Sequence, residues 1–260
     1  MTATVPVALQ SDPFYPSADG QPVAETYDHL YALLTTLEVL KQYLTGVQAT
    51  VLGNQFLYYA QGFPKLRVAP DVMVIFDVAP GGRDNYKIWE ESQVPKVIFE
   101  MTSPGTKDQD LVFKKTLYEQ LGVKEYWLFD PKGEWLEEQL RGYRLRGETF
   151  EVIQDNRSDP LQLRLQVEGR LISFYREDTG EKLPIPDELA QALRQEVLAR
   201  QQAEERAEQE RQRAEQERQR AEQERQRAEQ ERQRAEQAEY EVEQLKARLR
   251  SLGVNSDITE

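Results

Sequence analysis

The sequence predicts an α/β domain with a mixed β-sheet flanked by helices, followed by a long C-terminal α-helix or coiled coil. Short apolar runs rich in Val and Ile, at 71–78 and 96–101, are typical of buried strands. A segment with helical spacing separates the run at 96–101 from another at 125–130, which indicates a βαβ unit. A seven-residue repeat in the last third of the chain predicts the C-terminal helix.

The chain divides into four predicted segments. They are a flexible, Pro-rich N-terminal segment (1–20), the α/β domain (21–184), the heptad-repeat helix or coiled coil (187–253) and a short tail (254–260). A length of 260 residues suits one domain of ordinary size with an extension.

Composition and charge exclude several classes of protein. The absence of cysteine excludes disulfides and thiolate metal sites, and the single histidine, His29, excludes a zinc site built from several histidines. A net charge of −13 argues against a protein that coats nucleic acid, so DNA binding would need a local basic patch. The chain lacks a signal-peptide pattern and an apolar run long enough to cross a bilayer. We therefore expect a cytoplasmic, soluble protein with no membrane partner.

The first helix is predicted over residues 24–44, because apolar residues recur there at helical spacing and Gly46 follows as a stop signal. Glu25 and His29 lie four residues apart near its start, so they share one face. Two interpretations of this pair stay open. It is either a solvated first turn with a chance histidine or part of a functional site.

The remaining elements of the domain follow from apolar runs and turn residues. The predicted order is strands at 51–59 and 71–78, a loop at 81–92, a strand at 96–101, a helix at about 108–120, a strand at 125–130, a hairpin that turns at 146–148, and strands at 161–167 and 171–175.

Two carboxylates stand in unusual places in this pattern. Asp71 opens the strand at 71–78, and Glu100 lies near the end of the strand at 96–101. A carboxylate at the end of a buried strand is costly unless it is solvated, paired or bound to a cation. The pair therefore predicts either a metal site or two ordinary ion pairs with Lys or Arg.

The helix that follows carries further polar residues at a spacing of four. Thr106, Asp110, Lys114 and Tyr118 lie along one helical face, from which Asp110 or Lys114 can reach the two carboxylates. Carboxylates that hold Mg²⁺, with an ammonium nearby to steady developing phosphate charge, are the parts that nuclease chemistry needs. An i,i+4 pair between Asp110 and Lys114 is an equally good interpretation, and Tyr118 is predicted as a core residue.

Several motifs together resemble the Uma-two family of endonucleases. They are Ala69-Pro70-Asp71-Val72, Glu100 with the following Ser103-Pro104-Gly105-Thr106, Asp110, Lys114, Tyr118, Gly122-Val123 and Glu125-Tyr126-Trp127-Leu128-Phe129-Asp130-Pro131. The resemblance covers about residues 17–180 and leaves the heptad repeat outside. It implies a restriction-endonuclease-like fold and an endodeoxyribonuclease that hydrolyses DNA phosphodiester bonds with Mg²⁺ or Mn²⁺.

The resemblance also implies roles for individual residues. Asp71 and Glu100 take the acidic positions and act as metal ligands, and Lys114 joins them as the third catalytic residue. Glu25 and Asp110 are candidates for supporting roles.

One position departs from the wider nuclease pattern, in which a lysine stands two residues after the second acidic residue. That place is Thr102 here. The resemblance implies that Lys114, on the following helix, takes over. Lys115 is a weaker candidate, because it would point about 100° away around the helix.

The C-terminal repeat is built from identical heptads. RAEQERQ begins at Arg206, Arg213, Arg220 and Arg227, with a partial copy at Arg234. Only the last two or three heptads place apolar residues at both seam positions. A lone helix held by charge pairs of about 0.2–0.5 kcal/mol each, a polar coiled coil and a disordered tail all stay open. We expect the segment to form a homo-oligomer or set a spacing.

Three functions remain open at this level. The first is the metal-dependent endonuclease, the second a non-catalytic binding module with the nuclease fold, and the third a scaffold oligomerised by its coiled coil. The acidic net charge favours the second and third, whereas the set of Asp71, Glu100 and Lys114 favours the first.

Overall fold

The structure is a computed structural model that describes residues 13–20, 25–103, 105–106 and 108–251. The predicted tail at 254–260 and most of the predicted N-terminal segment lie outside these residues. None of the described helices combines the length and the apolarity that crossing a bilayer requires.

The described chain contains four α-helices, one π-helix and twelve strands. The helices are α1 (Tyr27–Tyr43), α2 (Ile88–Glu91), the π-helix (Gln109–Lys114), α3 (Lys115–Leu121) and α4 (Pro186–Ser251). The strands are β1 (Ala49–Gly53), β2 (Leu57–Tyr58), β3 (Arg67–Val68), β4 (Val72–Phe76), β5 (Tyr86–Lys87), β6 (Val97–Met101), β7 (Glu125–Phe129), β8 (Leu140–Arg146), β9 (Thr149–Ile153), β10 (Arg157–Ser158), β11 (Leu163–Glu168) and β12 (Leu171–Arg176).

A mixed six-stranded sheet forms the centre of the domain, in the order β1-β4-β6-β7-β8-β9. Strands β6 and β7 are parallel, and every other neighbouring pair in this sheet is antiparallel. A parallel pair needs a crossover connection, which the π-helix and α3 supply here. The predicted mixed sheet with flanking helices, the βαβ unit and the hairpin of β8 and β9 are confirmed.

Both faces of the central sheet are buried, and the alternation of side chains along β6 decides which residues face the crossover. Val97, Phe99 and Met101 pack into the core that includes residues of α1 and β12. Ile98 packs into the opposite core, which includes residues of α3. Because successive side chains point to opposite faces, Glu100 lies on the same face as Ile98. The strand therefore directs this carboxylate towards the crossover.

The predicted strand at 51–59 is wrong, because the chain turns at Asn54. This residue has a φ of +51°, a left-handed conformation that asparagine tolerates better than most residues. Its backbone N–H donates to the carbonyls of Pro70 and Asp71 instead of continuing a ladder. The chain then enters a separate three-stranded sheet in the order β3-β2-β5. These hydrogen bonds from the turn therefore hold the backbone at Asp71 in position.

Two other predicted elements differ in detail. The predicted loop at 81–92 contains the short strand β5 and the short helix α2. The predicted helix at about 108–120 begins as a π-helix and becomes an α-helix only at Lys115. A π-helical turn places its side chains differently from an α-helical one, and such turns are frequent at functional sites.

The C-terminal helix α4 runs over Pro186–Ser251. The chain separates into two compact units, residues 1–190 and 191–260. Within the described residues, the first unit holds the twelve strands, α1 to α3, the π-helix and the start of α4, and the second consists of helix. All the described side chains of the second unit are exposed.

Gly142→Ala should destabilise the domain by about 1–3 kcal/mol through overpacking. Gly142 lies opposite Trp127 in the β7–β8 pair, and an added Cβ would overlap with Cζ3 of that fully buried ring. Gly82→Ala is the matched control, because nothing lies within 4 Å of its added Cβ. Urea denaturation measures both changes, and equal unfolding midpoints for the two variants would contradict the prediction.

Candidate functional site

Asp71 lies just before β4 and is fixed against the neighbouring strand. Its Oδ2 accepts a hydrogen bond of 2.6 Å from the backbone N–H of Met101, at the end of β6. Its own backbone N–H lies 3.4 Å from Oε2 of Glu100. The two carboxylates that the sequence places at strand ends are therefore neighbours.

Glu100 is almost completely buried, with 1% of its surface exposed, and both of its carboxylate oxygens have partners. Oε2 accepts a hydrogen bond of 2.9 Å from Nζ of Lys114, and Oε1 accepts one of 2.8 Å from the hydroxyl of Tyr118. These partners come from the last residue of the π-helix and from the middle of α3. The crossover therefore holds the carboxylate in one orientation.

The π-helix brings a further carboxylate to the same ammonium. Nζ of Lys114 lies 3.0 Å from Oδ1 of Asp110, which is also buried. The hydroxyl of Tyr126, on β7, donates to the backbone carbonyl of Asp110 at 3.0 Å and ties the first turn of the π-helix to the sheet. Lys114 thus lies between Glu100 and Asp110, with only 9% of its surface exposed.

The first turn of α1 supplies the other side of the site. Thr26 is the N-cap of α1, and its hydroxyl accepts from the backbone N–H of His29. Nε2 of His29 lies 3.4 Å from Oε2 of Glu25 and 3.6 Å from Oδ2 of Asp71. Of the two interpretations open for Glu25 and His29, the geometry favours a place in the site.

These residues line one cavity of about 420 Å³. Among the described lining residues, the ionisable ones are Glu25, His29, Asp71, Glu100, Asp110 and Lys114. Four of these six are carboxylates, so acidic groups outnumber the ammonium and the imidazole. The cavity therefore has an excess of negative charge whenever all four are ionised.

The pKa values of the two most enclosed carboxylates are raised, chiefly by burial. Burial raises the pKa of Glu100 to about 8; Asp71 and Asp110 add to the rise, and Lys114 opposes it. Burial likewise raises the pKa of Asp110, again against the effect of Lys114. A metal cation in the cavity would offset the same repulsion.

The pKa values of the two basic groups are raised as well, but here burial opposes the rise and the carboxylates cause it. Burial acts to lower the pKa of Lys114, but Glu100, Asp110 and Asp71 outweigh it and raise the pKa above its ordinary value. Burial also acts to lower the pKa of His29, and Asp71, Glu25 and Glu100 raise it instead. Lys114 is therefore a permanent cation at neutral pH.

The donor set fits a metal ion. Glu25, His29 and Asp71 each offer one ligand atom, and the three atoms lie within 4.8 Å of one another. Nε2 of His29 is buried and has no hydrogen-bond partner among the described residues. Carboxylate oxygens with one imidazole nitrogen are ordinary ligands for a divalent metal ion.

The structure brings together all five residues that the sequence nominates: Asp71, Glu100, Lys114, Glu25 and Asp110. Their metal-binding and catalytic roles stay predictions. The geometric metal cluster contains Asp71 but has Glu25 and His29 where the sequence suggests Glu100.

Two further residues extend the sequence-based picture of the site. Tyr118 is a core residue, as predicted, yet its hydroxyl also holds Glu100. The spacing of four from Lys114 was the signal for that contact. Lys115 instead places its ammonium 4.7 Å from the ring centre of Tyr143, away from the carboxylates.

Comparisons with known proteins agree with the resemblance found in the sequence. Residues 7–169 match the model of the Uma2 family, described as "Putative restriction endonuclease". Residues 165–253 match a second model, described as "Helicobacter pylori protein of unknown function (DUF874)". No curated protein matches the chain.

One similar solved structure is the crystal structure of "a putative nuclease belonging to DUF820" from Anabaena variabilis. The two chains share 15% sequence identity, and the match covers 55% of this chain and 77% of the other, with a TM-score of 0.39.

Lys114→Met should destabilise the metal-free domain by about 3 kcal/mol, because the change leaves Glu100 and Asp110 buried beside each other without their cation. Lys115→Met is the matched control and should cost only about 1 kcal/mol, the worth of one half-buried cation–π contact. Urea denaturation in the presence of a chelator measures both. A loss no larger for Lys114→Met than for Lys115→Met would refute this account of the buried charges.

Proposed function

The chain belongs to the Uma2 family, described as putative restriction endonucleases, and on that premise we propose that it is a metal-dependent endonuclease that hydrolyses phosphodiester bonds in DNA. The observation that carries the proposal is the position of Lys114 between Glu100 and Asp110, with Asp71 beside Glu100, in one cavity. A homo-oligomer assembled through the C-terminal helix is the proposed working form, and the cytoplasm its proposed location.

Glu25, His29 and Asp71 would hold the metal ion, with Glu100 completing the site. The bound ion would polarise the phosphodiester and lower the pKa of an attacking water. Mg²⁺ prefers oxygen ligands almost exclusively, so the imidazole of His29 favours Mn²⁺ over Mg²⁺ at this site.

In this proposal different contacts orient the carboxylates of Asp71 and Glu100. The Met101 N–H occupies one lone pair of Asp71 Oδ2 and fixes the carboxylate, and the Asp71 side chain lines the cavity with lone pairs left for a ligand. Lys114 and Tyr118 each hold one oxygen of Glu100, so its carboxylate cannot rotate. A carboxylate fixed before the reaction begins loses no orientational freedom when its ligand binds.

Lys114 acts as a fixed positive charge. Its raised pKa keeps the ammonium protonated, so it does not serve as a general base. It lines the cavity, where it can stabilise the charge that develops on the phosphate oxygens in the transition state. Two carboxylates hold the ammonium in place, so little reorganisation is needed at the moment of reaction.

We expect Mn²⁺ to bind in isothermal titration calorimetry and, at about 100 times its dissociation constant, to stabilise the domain by about 2.7 kcal/mol. His29→Ala and Glu25→Gln remove ligands of the geometric cluster and should each weaken binding at least about tenfold. Glu38→Gln, at an exposed pair with Lys41, should bind Mn²⁺ normally. Normal binding by His29→Ala and Glu25→Gln would instead favour a site made by Asp71 and Glu100 alone.

We expect the full-length chain to nick supercoiled plasmid DNA in Mn²⁺. Lys114→Met and Asp71→Asn should each lower the rate at least about a hundredfold, whereas Lys115→Met should cleave normally. Calorimetry distinguishes a loss of catalysis from a loss of metal binding, because Lys114→Met keeps the three ligand atoms of the metal cluster, one of which belongs to Asp71. No cleavage by a chain that binds both Mn²⁺ and DNA would refute the enzyme and support the binding module.

A further inference from the structure

The second unit carries two groups of exposed large apolar side chains, one at residues 193–198 and the other at the C-terminal end of α4. Tyr240, Val242, Leu245 and Leu249 are large apolar residues with 40–65% of their surfaces exposed. Val242, Leu245 and Leu249 are spaced by three and four residues, which places them at the a, d and a positions of a heptad. Tyr240 falls at position f, away from that seam.

Counting back in sevens gives the same register for the repeats. The a positions then hold alanine, from Ala207 to Ala235, and the d positions hold glutamate, from Glu210 to Glu231. After Ala203, the next apolar residue at d is Ala238. An apolar seam at both positions therefore begins at about residue 235.

The charges that flank the seam change at the same point. Within the repeats both flanking positions, g and e, are arginine, for example Arg227 and Arg232. Two helices paired along this stretch would face arginine with arginine in either orientation, because e and g residues meet across a two-stranded coil. The repeats therefore disfavour a second copy alongside them.

The repeats have partners within their own helix instead. Nε of Arg232 lies 3.0 Å from Oε1 of Glu236, and Nε2 of Gln212 donates to Oε1 of Glu208 at 3.2 Å. Such i,i+4 pairs stabilise an isolated helix by about 0.2–0.5 kcal/mol each. The repeats can stay helical without a second chain.

Beyond Arg234 the flanks become complementary. The g positions are Glu241 and Arg248, and the e positions are Glu239 and Lys246. In an antiparallel pair g faces g and e faces e, so Glu241 faces Arg248 and Glu239 faces Lys246. Because two-fold symmetry relates the two helices, each of these charge pairs occurs twice in the dimer.

A parallel pair offers as many favourable contacts at this end, because Arg234 then faces Glu239 and Glu241 faces Lys246. The two orientations differ in how they arrange the repeats that precede residue 235. A parallel pair runs the arginine flanks and the glutamate d positions of all the repeats side by side, and like charges across an interface oppose association. In an antiparallel pair the repeats leave the coil at opposite ends.

We propose that residues 235–251 form an antiparallel two-stranded coiled coil with a second copy of this chain, and that the repeats at 206–233 remain unpaired helices that space the two copies. Val242 packs against Leu245 of the second copy, and Leu249 packs against Ala238. This assignment extends the proposed homo-oligomer and is independent of DNA cleavage, because association is measured without activity.

Sedimentation velocity of the full chain tests whether residues 235–251 form the interface between two copies. We expect a dimer at micromolar concentration, and Leu245→Glu should raise its dissociation constant at least about a hundredfold, because one apolar contact is lost from each copy. Tyr240→Glu adds the same charge outside the seam and should leave the dimer intact. Circular dichroism checks that both variants keep their helix. A monomeric wild type, or equal effects of the two variants, overturns the proposal.

A distance between spin labels tests the orientation. The chain has no cysteine, so Gln216→Cys gives one label in each copy. Position 216 lies about 27 residues from the centre of the antiparallel overlap, so at 1.5 Å per residue the two labels should be about 80 Å apart. Labels within about 20 Å of each other would show parallel helices and overturn the antiparallel assignment.

Discussion

The burial of Glu100 is the constraint on which the rest of the site depends. The alternation of side chains along β6 turns this carboxylate towards the crossover, where water does not reach it. A carboxylate in such a place must have hydrogen-bonding or charged partners, and Lys114 and Tyr118 supply them. The crossover is therefore held to the sheet by polar contacts as well as by its apolar core.

Asp71 extends this network to the first helix. Its Oδ2 accepts a hydrogen bond from the backbone N–H of Met101, the residue that follows Glu100. The same oxygen lies 3.6 Å from Nε2 of His29 on α1. The same side chain is thus shared between the buried charges of the crossover and the candidate metal ligands. A change in charge at either group should affect the other, since Asp71 contacts both and buried charges interact at a low local dielectric constant.

The sequence predicted those parts of the site that follow from periodicity. Strand ends located Asp71 and Glu100, and a spacing of four located Asp110 and Lys114. The sequence did not predict the π-helix, because a shift in backbone hydrogen bonding leaves no distinct pattern of apolar residues. The turn at Asn54 was missed for a similar reason, since an apolar run continues on both sides of it and only its left-handed backbone ends the strand.

Lys114 lies on a helix, whereas the wider nuclease pattern has its lysine on a strand, and this difference in backbone position has little effect on the charge near Glu100. What the proposed chemistry requires is an ammonium at a fixed distance from Glu100, and the backbone that carries this ammonium does not alter its charge. Thr102, at the strand position, is buried, and its hydroxyl has no partner among the described residues. The ammonium of Lys114 is held by two carboxylates, one from β6 and one from its own helix. Its position is set by these ion pairs, and in the proposed function the lysine of the crossover takes the place of the lysine on the strand.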